Sequence, residues 1–555
     1  MQSNRHRLLS LPLAVLVTAG LAPAQGETTR ISVDSFGFEG AGNSREPSIS
    51  GDGRFVAFET WSNLDPSDTT PNEFTLDVYL HDRLTGTTEV ISRDTGGGNP
   101  NGNCDEPAIS DDGRYVVFTA SASDMVSGDN NFRQDVFRYD RLTGATALVS
   151  AALDGTVGDW DSYQPDISAD GNIVVFTSAA GDLTLQDPGQ WAIFARDMTT
   201  GVTELINVGV GGADPDSSAG APSVSADGRF VVYTSNASNL VPGDVNGKQD
   251  IFLHDRQTGA TDLISISTLG VQANSECWDP AVSADGRYVV FNTIASSLVA
   301  GDTNIYPDIF LRDRVTGQTT KITQSHDGSG ANNQSDNASL SDDGRYIAFR
   351  SWASNLQGPP AGGSNWLDAF VIDRQTGEIE QVNVSSTGIL PNNHTYAPDI
   401  SADGRFVAFA SDASNLVDDD FNSKSDVFLH DYGFADPAPD VKINGSDVDL
   451  TLAAGTPLDI TLGLEAGSLF GQNADWWVHA QTPFGNFWLL PTLTWTPSFA
   501  PLLLLQFPLV DFAGVNVLSG AVIPTGTYVI TFYVDDDADG VFDGTWSDAV
   551  SVTVQ

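Results

Sequence analysis

The sequence predicts an all-β protein whose main part is a seven-bladed β-propeller. Two observations predict it: a Ser-x-Asp-Gly signal recurs seven times, and short apolar runs bounded by Asp-Gly and Thr-Gly turns surround each copy. The glycines of the signal recur every 57 to 60 residues, and they are Gly53, Gly113, Gly171, Gly228, Gly286, Gly344 and Gly404. Four short antiparallel strands per repeat are typical of a propeller blade.

The fourth repeat shows the complete unit. Its four predicted strands are at 222–225, 230–234, 250–255 and 261–265, and turns at 226–229 and 256–259 join the first to the second and the third to the fourth. Apolar and β-branched residues dominate these strands, and the repeats lack a sustained 3.6-residue apolar period. The pattern therefore disfavours a parallel α/β fold.

The two ends of the array complement each other. The seventh repeat departs from the pattern after 426–431 and lacks its fourth strand, whereas 28–32 match that strand and precede the first complete repeat. We therefore expect 28–32 to pair beside 426–431 and close the ring, which leaves no exposed sheet edge.

The unit Pro-x-Ile-Ser-x-Asp-Gly-Arg-Phe-Val-Ala-Phe, followed by Asp-x-Phe-x-x-Asp and Thr-Gly, resembles the WD40-like PD40 repeat of the TolB propeller family. The resemblance covers about residues 28–434 and implies the propeller fold. The family's namesake is a periplasmic protein with an α/β domain ahead of six blades. Here the predicted signal peptide leads directly into seven repeats and a predicted β domain follows them, so the resemblance does not extend to that protein's role.

The segments outside the repeats predict export and a second domain. Residues 1–24 have the features of a signal peptide, with Arg5 and Arg7 before an apolar stretch and small residues at its end. We therefore expect a periplasmic or secreted protein without a transmembrane segment after cleavage. The predicted propeller is 25–434, 435–440 is a linker, and the alternating pattern of 441–555 predicts a β-sandwich-like domain.

The charge restricts the partners. The formal net charge is −48, with 25 basic and 73 acidic residues. Phosphate binding needs clustered cations, so the sequence predicts no nucleic-acid partner. A protein, peptide or polysaccharide partner agrees with this composition.

The loops predict where a ligand binds. The 1–2 and 3–4 turns of each blade are short and nearly constant, whereas the 2–3 and 4–1 connections are long and variable, and these two kinds of loop emerge at opposite ends of a propeller. We therefore expect function on the end with the variable loops, the variable face. The candidate ligand-binding residues precede the innermost strands and are Glu46, Glu106, Tyr163, Trp278, Asp279 and Tyr396, accompanied by Arg45, Asp105 and Asp336. Carboxylates mixed with aromatic rings suit a sugar, a cationic peptide or the tip of a partner protein, although ordinary polar loop ends explain the same residues.

Two other residue types are expected to be structural. His81, His254 and His430 occupy one repeated strand position, so we expect them to build the blade. Cys104 and Cys277 lie in repeats two and five, nearly opposite each other in the ring, so we expect two free thiols.

Oxygen-rich loops indicate possible Ca²⁺ sites. The clearest is the C-terminal stretch Asp535, Asp537, Asp539 and Asp543, which matches the first half of an EF-hand-like loop inside a predicted hairpin. Four repeats also carry Asp-x-Asn-x-x-x-Asp in the 2–3 loop, and these residues are Asp129, Asn131 and Asp135; Asp244, Asn246 and Asp250; Asp302, Asn304 and Asp308; and Asp420, Asn422 and Asp426. Asx-turns that shape the loop are the alternative explanation.

The sequence favours a binding or scaffold protein over an enzyme. It contains neither Gly-x-Ser-x-Gly nor His-Glu-x-x-His, and it has no glycine-rich phosphate loop. The alternative is a carbohydrate-active propeller, a lyase or a glycosidase, that uses the channel-mouth carboxylates Glu46, Glu106 or Asp279.

Overall fold

The computed structural model describes residues 26–555 apart from 69–74, 327, 329, 358–365, 433–437, 444–449, 453–456, 466–472, 483–484, 490–494, 498–504, 509–511, 523–525, 536–545 and 555. For residues 433–555 it describes the strands and not the side chains. The predicted signal peptide, 1–24, therefore lies outside the described residues.

Seven four-stranded antiparallel sheets form the repeat region. Six are ordered from the innermost strand outward along the chain, and in the seventh β1 supplies the outermost strand. Blades 1 to 3 comprise β2 (Ser44–Ile49), β3 (Phe55–Thr60), β4 (Asp77–Asp82) and β5 (Thr87–Val90); β6 (Cys104–Ile109), β7 (Tyr115–Ala120), β8 (Asp135–Asp140) and β9 (Ala145–Leu148); and β10 (Ser162–Ile167), β11 (Ile173–Ser178), β12 (Ala192–Asp197) and β13 (Val202–Leu205). Blades 4 and 5 comprise β14 (Ala219–Val224), β15 (Phe230–Ser235), β16 (Asp250–Asp255) and β17 (Ala260–Leu263); and β18 (Cys277–Val282), β19 (Tyr288–Thr293), β20 (Asp308–Asp313) and β21 (Gln318–Lys321). Blades 6 and 7 comprise β22 (Ser335–Leu340), β23 (Tyr346–Ser351), β24 (Asp368–Asp373) and β25 (Ile379–Gln381); and β26 (Thr395–Ile400), β27 (Phe406–Ser411), β28 (Asp426–Asp431) and β1 (Glu27–Arg30).

The constant turn explains the repeated sequence signal. In blade 1, the Asp52 carboxylate accepts hydrogen bonds from the Ser50 hydroxyl at 2.6 Å and from the Arg54 backbone N–H at 2.9 Å. Gly53 has φ 69°, a conformation that favours glycine. The Arg54 guanidinium then forms two hydrogen bonds to Asp82, which ends the third strand. The Asp-Gly-Arg signal therefore forms the turn between the first two strands and ties it to the third strand.

The same glycine also joins neighbouring blades. A Cβ at Gly53 would overlap the ring of Phe406, which belongs to the preceding blade, and the six equivalent glycines face the same residue position. Beside this turn, the backbone N–H of Gly51 donates to Asp111 O at 3.0 Å, and that of Ala402 donates to Gly51 O at 3.1 Å. The apolar faces of the strands are buried between adjacent blades.

Strand β1 closes the ring, as predicted. It pairs antiparallel with β28 from Glu27 opposite Asp431 to Arg30 opposite Phe428. The Ser32 hydroxyl donates to Asp426 at 2.7 Å, which adds a side-chain bond to the same junction.

The repeated histidines are structural, which confirms the expectation from the sequence. Each Nδ1 lies within hydrogen-bond distance of a threonine hydroxyl on the fourth strand: His81 with Thr88 at 2.8 Å, His254 with Thr261 at 2.9 Å, and His430 with Thr28 at 2.8 Å. Burial lowers the pKa of His81 and of His430 to about 4, so these rings are neutral at physiological pH.

Beyond the propeller the described residues form two further sheets. One has the order β29-β31-β36, and the other has the order β30-β38-β37-β32-β33-β34 with β35 paired to β32. These strands are β29 (Ala438–Ile443), β30 (Leu450–Leu452), β31 (Pro457–Glu465), β32 (Asn473–Thr482), β33 (Gly485–Leu489), β34 (Trp495–Pro497), β35 (Leu505–Pro508), β36 (Phe512–Val522), β37 (Gly526–Asp535) and β38 (Trp546–Val554). The C-terminal region is therefore all-β, as predicted.

Helical structure is almost absent. The described residues contain one short 3₁₀ turn, Val210–Gly212. Among the described residues, no helix has the length and apolar character needed to cross a membrane.

Candidate functional site

The sequence-predicted site residues lie within the innermost strands and not before them, which corrects the expected placement. They occupy the second and third positions of these strands, such as Arg45 and Glu46 in β2 and Trp278 and Asp279 in β18. The strands begin earlier than expected because the first residue, such as Ser44, already pairs with the second strand.

A β-bulge at the third position shapes the channel mouth. In all seven blades the ladder between the first two strands shifts register at this point, and the third residue has a left-handed backbone. These residues are Glu46 (φ 46°), Glu106 (φ 53°), Gln164 (φ 51°), Ala221 (φ 49°), Asp279 (φ 48°), Asn337 (φ 55°) and Ala397 (φ 45°). In six blades the next residue is proline, which lacks an N–H and suits an unpaired bulge position. Because the bulge is common to all blades, only the side chains it carries differ around the ring.

Backbone donors and side-chain acceptors link blades 1 to 4 around the mouth. The Glu59 carboxylate accepts the N–H of Glu106 at 3.2 Å, and the Glu106 carboxylate accepts the N–H of Gln164 at 2.7 Å. The Gln164 side-chain oxygen in turn accepts the N–H of Ala221 at 3.0 Å. In blades 2 to 4 the N–H freed by the bulge is thus satisfied by a polar side chain of the preceding blade.

Carboxyl groups are concentrated in blades 1 and 2. Glu59 is 5% exposed, and burial, together with the charges of Glu46 and Asp105, raises its pKa to about 8. Burial also raises the pKa of Glu46 and that of Glu106. The charge of Asp105 adds to the shift of Glu106. Glu59 is therefore protonated at neutral pH beside carboxylates that are exposed in the channel mouth.

A second polar group lies across the ring in blades 5 and 6. The Arg350 Nε donates to Asp336 at 2.5 Å, and the Asn292 amide donates to Asp279 at 3.1 Å. Burial and the Asp336 charge raise the pKa of Asp279, whereas Arg350 opposes both that shift and the shift of Glu46 in blade 1. One guanidinium therefore acts on carboxylates of two separate blades at the mouth.

An aromatic wall borders a cavity between blades 3 and 4. The rings of Tyr163 and Trp191 stack with centroids 4.9 Å apart, and they line a cavity of about 350 Å³. Polar side chains complete its lining, including Glu106, Gln164 and Asn236. Predicted residues Glu106 and Tyr163 are thus brought together.

A second aromatic cluster lies in blades 6 and 7. The His394 ring is 4.8 Å from Trp352, 5.1 Å from Trp366 and 6.3 Å from the predicted site residue Tyr396, measured between centroids. The Tyr396 hydroxyl donates to Asp412 at 3.1 Å.

All tryptophans of the propeller belong to the variable face. They lie in the 2–3 or 4–1 connections or at the start of an innermost strand, and they are Trp61, Trp160, Trp191, Trp278, Trp352 and Trp366. None is buried: Trp160 is 45% exposed, Trp366 is 38% exposed, and the other four are half-buried. Arginines cover two of the rings, Arg45 over Trp61 at 4.2 Å and Arg133 over Trp160 at 3.7 Å.

The expected free thiols are present. Cys104 and Cys277 are the first residues of β6 and β18, and both are buried and unbonded. Burial raises the pKa of Cys277 to about 12, so this thiol is neutral and unreactive in the folded protein.

Two of the four predicted Asp-x-Asn loops hold a cationic side chain. In blade 5 the Lys321 ammonium lies 3.0 Å from Asp302 and 2.6 Å from Asp308. In blade 7 the Arg30 guanidinium lies 2.6 Å from Glu39 and 3.9 Å from Asp426. In blade 5 the protein therefore supplies its own cation between the two aspartates, and in blade 7 the arginine pairs with Glu39 beside the loop.

The predicted Ca²⁺ loop of the C-terminal region falls largely outside the described residues. Asp537, Asp539 and Asp543 lie outside the described residues, and Asp535 ends β37 with its side chain undescribed. Among the described residues, Glu39, Asp420 and Asp426 are the one group of three or more Asp, Glu, His or Cys side chains close enough to share a metal ion.

Comparison with known proteins gives structural similarity alone. No protein-family model matches the chain, and no curated protein matches it in sequence. Similar solved structures include a TolB from Agrobacterium tumefaciens, with 15% identity, 53% of this chain and 83% of that chain covered, and a TM-score of 0.33. A prolyl endopeptidase has 11% identity, 78% of this chain and 56% of that chain covered, and a TM-score of 0.42. The GH74 enzyme of Niastella koreensis has 10% identity, 93% and 74% coverage, and a TM-score of 0.36.

Because these identities and TM-scores are low, the class of protein is taken from the geometry of the chain itself. Seven four-stranded sheets, closed by β1, define a seven-bladed β-propeller. The propeller fold is the one that the repeated unit predicted. The site on the variable face combines a carboxylate-lined mouth with half-exposed aromatic rings.

Proposed function

We propose that this chain is an exported propeller that binds a polysaccharide on its variable face, in the periplasm or outside the cell. The observation that carries the proposal is the placement of six tryptophans on one face without burial of any of them. Large aromatic rings are usually buried, because each removes a large apolar area from water. Rings that remain half-exposed on one face suit a ligand with apolar patches, such as the C–H faces of sugar rings.

The polar groups around these rings support a sugar ligand. The cavity beside Tyr163 and Trp191 has the size of a small-ligand site, and Glu106, Gln164 and Asn236 offer acceptors and donors for hydroxyl groups. Aromatic contact and hydrogen bonding within one cavity match the mixed surface of a carbohydrate.

The charge narrows the class of polysaccharide. The chain has a net charge of −48, and carboxyl groups crowd the mouth in blades 1 and 2. Acidic polysaccharides would be repelled by this field, whereas neutral or amino-bearing glycans would not. We therefore expect neutral or cationic glycans to be preferred.

A glycan array probed with the full-length mature protein tests the proposal. We expect binding to neutral or amino-bearing oligosaccharides, and the Trp191→Ala variant should weaken it at least about tenfold, since truncating a central aromatic contact costs more than about 1.4 kcal/mol. Leu142→Ala, at an exposed constant turn, is the matched control and should bind like wild type. Absence of glycan binding, or equal weakening by both variants, would reject the proposal.

A protein partner is the competing outcome of the same test. Exposed apolar residues at the tips of the 2–3 loops favour it, among them Phe132 (86% exposed) and Phe421 (77% exposed). A variable-face partner captured by wild type but not by Phe421→Ser, with no glycan bound on the array, would replace the polysaccharide with a protein.

Catalysis on a bound glycan is the second candidate function. It is favoured by the protonated Glu59, which lies among the carboxyl groups of blades 1 and 2 and provides an acid beside potential bases. A depolymerisation screen with and without EDTA distinguishes the candidates. Cleavage that is lost in Glu106→Gln would establish an enzyme, whereas binding without turnover would leave a binding protein.

A further inference from the structure

Blade 5 shows that the Asp-x-Asn-x-x-x-Asp loop can hold a cation between its two aspartates. The Lys321 side chain is 8% exposed and lies between Asp302 and Asp308, which are 5% and 1% exposed. It ends the fourth strand, opposite Phe310 in the ladder. In blade 7 the residue at the same ladder position is Arg30, opposite Phe428.

Blades 2 and 4 keep the loop and lose the cation. The residue at the ladder position of Lys321 is Leu148 in blade 2 and Leu263 in blade 4, opposite Phe137 and Phe252. A leucine side chain ends two bonds short of a lysine ammonium and carries no charge. The two aspartates of each loop therefore lack the cation that lies between their counterparts in blade 5.

The hydrogen bonds of blade 4 leave the same oxygen atoms available. Asp250 is fully buried; one of its oxygens accepts the Ser265 hydroxyl at 2.5 Å, and the other accepts the Asn246 amide at 2.7 Å. The Asp244 Oδ1, which corresponds to the Asp302 oxygen bound by Lys321, is buried and accepts no hydrogen bond. A buried carboxylate oxygen without a donor is unfavourable unless a cation or a bound molecule pairs with it.

Blade 2 repeats this arrangement. Asp135 is fully buried, accepts the Ser150 hydroxyl at 2.7 Å on one oxygen and accepts the Asn131 amide at 2.9 Å on the other. Asp129 is 8% exposed and accepts the Asn131 backbone N–H at 3.4 Å.

We propose that blades 2 and 4 each bind a Ca²⁺ ion at the position that the Lys321 ammonium occupies in blade 5, between Asp129 and Asp135 and between Asp244 and Asp250. Two carboxylates balance the charge of one divalent ion, and hard oxygen donors are the ligands that Ca²⁺ prefers. Water completes the coordination on the loop side. The ion therefore joins the 2–3 loop to the edge of the blade, as the lysine does in blade 5.

Isothermal titration calorimetry of the EDTA-treated full chain with Ca²⁺ tests the proposal. The quantity compared between variants is the number of Ca²⁺ ions bound per chain. The double variant Leu148→Lys/Leu263→Lys builds in the missing ammonium and should bind two fewer Ca²⁺ than wild type, whereas each single variant should bind one fewer. The reverse change, Lys321→Leu, should add one site in blade 5. Mg²⁺ should compete weakly because it dehydrates reluctantly.

The matched control is Leu205→Lys in blade 3. Leu205 has the same ladder position, opposite Phe194, but the loop there carries Gln186 and Ala192 in place of the two aspartates. This variant should bind as many ions as wild type. Ions bound by acidic residues elsewhere, including the C-terminal aspartates, cancel when the number of bound ions is compared between wild type and variant.

An equal number of ions in wild type and in a folded double lysine variant would overturn the proposal. If the lysine variants fail to fold, as judged by circular dichroism, Asp129→Asn/Asp244→Asn serves as an isosteric replacement. It should also lose two ions, and an unchanged number would refute the proposal in the same way.

Discussion

Replacing Glu59 by glutamine should change how the stability of the protein depends on pH. Burial raises the pKa of Glu59 from its ordinary value of 4.5 to about 8. In this interval the folded protein keeps a proton that the unfolded chain has released, so the stabilising contribution is present at low pH and is lost as the pH rises towards 8. The loss is about 1.4 kcal/mol per pH unit and about 4–5 kcal/mol over the interval.

Urea unfolding followed by tryptophan fluorescence at pH 4.5, 6 and 8.5 measures this effect. Glutamine cannot ionise and can still accept the N–H of Glu106 through its side-chain oxygen. Glu59→Gln should therefore match wild type at pH 4.5 and exceed it at pH 8.5, with a higher unfolding midpoint. The control Glu378→Gln, at an exposed turn, should follow wild type at every pH. Parallel pH profiles for wild type and Glu59→Gln would refute the reasoning.

Two further predictions concern the blade construction. In a thermal unfolding assay, Gly113→Ala should destabilise the protein by about 2–4 kcal/mol, because the left-handed backbone is strained and the new Cβ overlaps Phe55. The control Gly144→Ala has a similar φ and open space around it, so it should cost about 1 kcal/mol. Comparable losses in the two variants would contradict the inter-blade role of the turn glycine. Cys104 and Cys277 should not react with Ellman's reagent in the folded protein and should give two thiols per chain in urea. Rapid reaction of the native protein would show that the inner strands open more easily than their burial implies.

Repetition made the fold predictable from the sequence. Each blade repeats the same turn chemistry, so the Asp-Gly-Arg signal and the half-blades at the two ends identified both the number of blades and the pairing of β1 with β28. The bulge in the innermost strands was not predicted. Its sequence signal is the proline at the next position, and proline is equally compatible with a loop, which is why the site residues were placed before the strands.

The missed site residues lie in strands that look like ordinary blade core. Glu59 and Arg350 occupy the fifth position of the second strand, where the other blades carry Thr119, Thr177, Thr234, Asn292 and Ala410. A charged residue at a position that is neutral in the other repeats is the signal that could have found them. Trp191 and Trp366 precede the third strands, so they could be found from the rule that the variable loops share one face.

The cationic partners of the Asp-x-Asn loops were missed for a different reason. Lys321 ends the fourth strand of its blade, outside the loop that carries Asp302 and Asp308. Arg30 ends β1, at the opposite end of the repeat array from Asp426. Ladder register, which the sequence alone does not display, brings them together. Comparison of equivalent positions across blades then distinguishes Leu148 and Leu263 from the two cationic residues.

Hydrogen–deuterium exchange with the neutral oligosaccharide that binds best on the array tests most directly whether the variable face is functional. We expect protection of the 2–3 loop at 179–191 and of the first residues of β10 and β14, with unchanged exchange at the constant turns 110–114 and 225–229. Protection of the constant turns, or of 441–555 alone, would contradict the assignment of binding to the variable face.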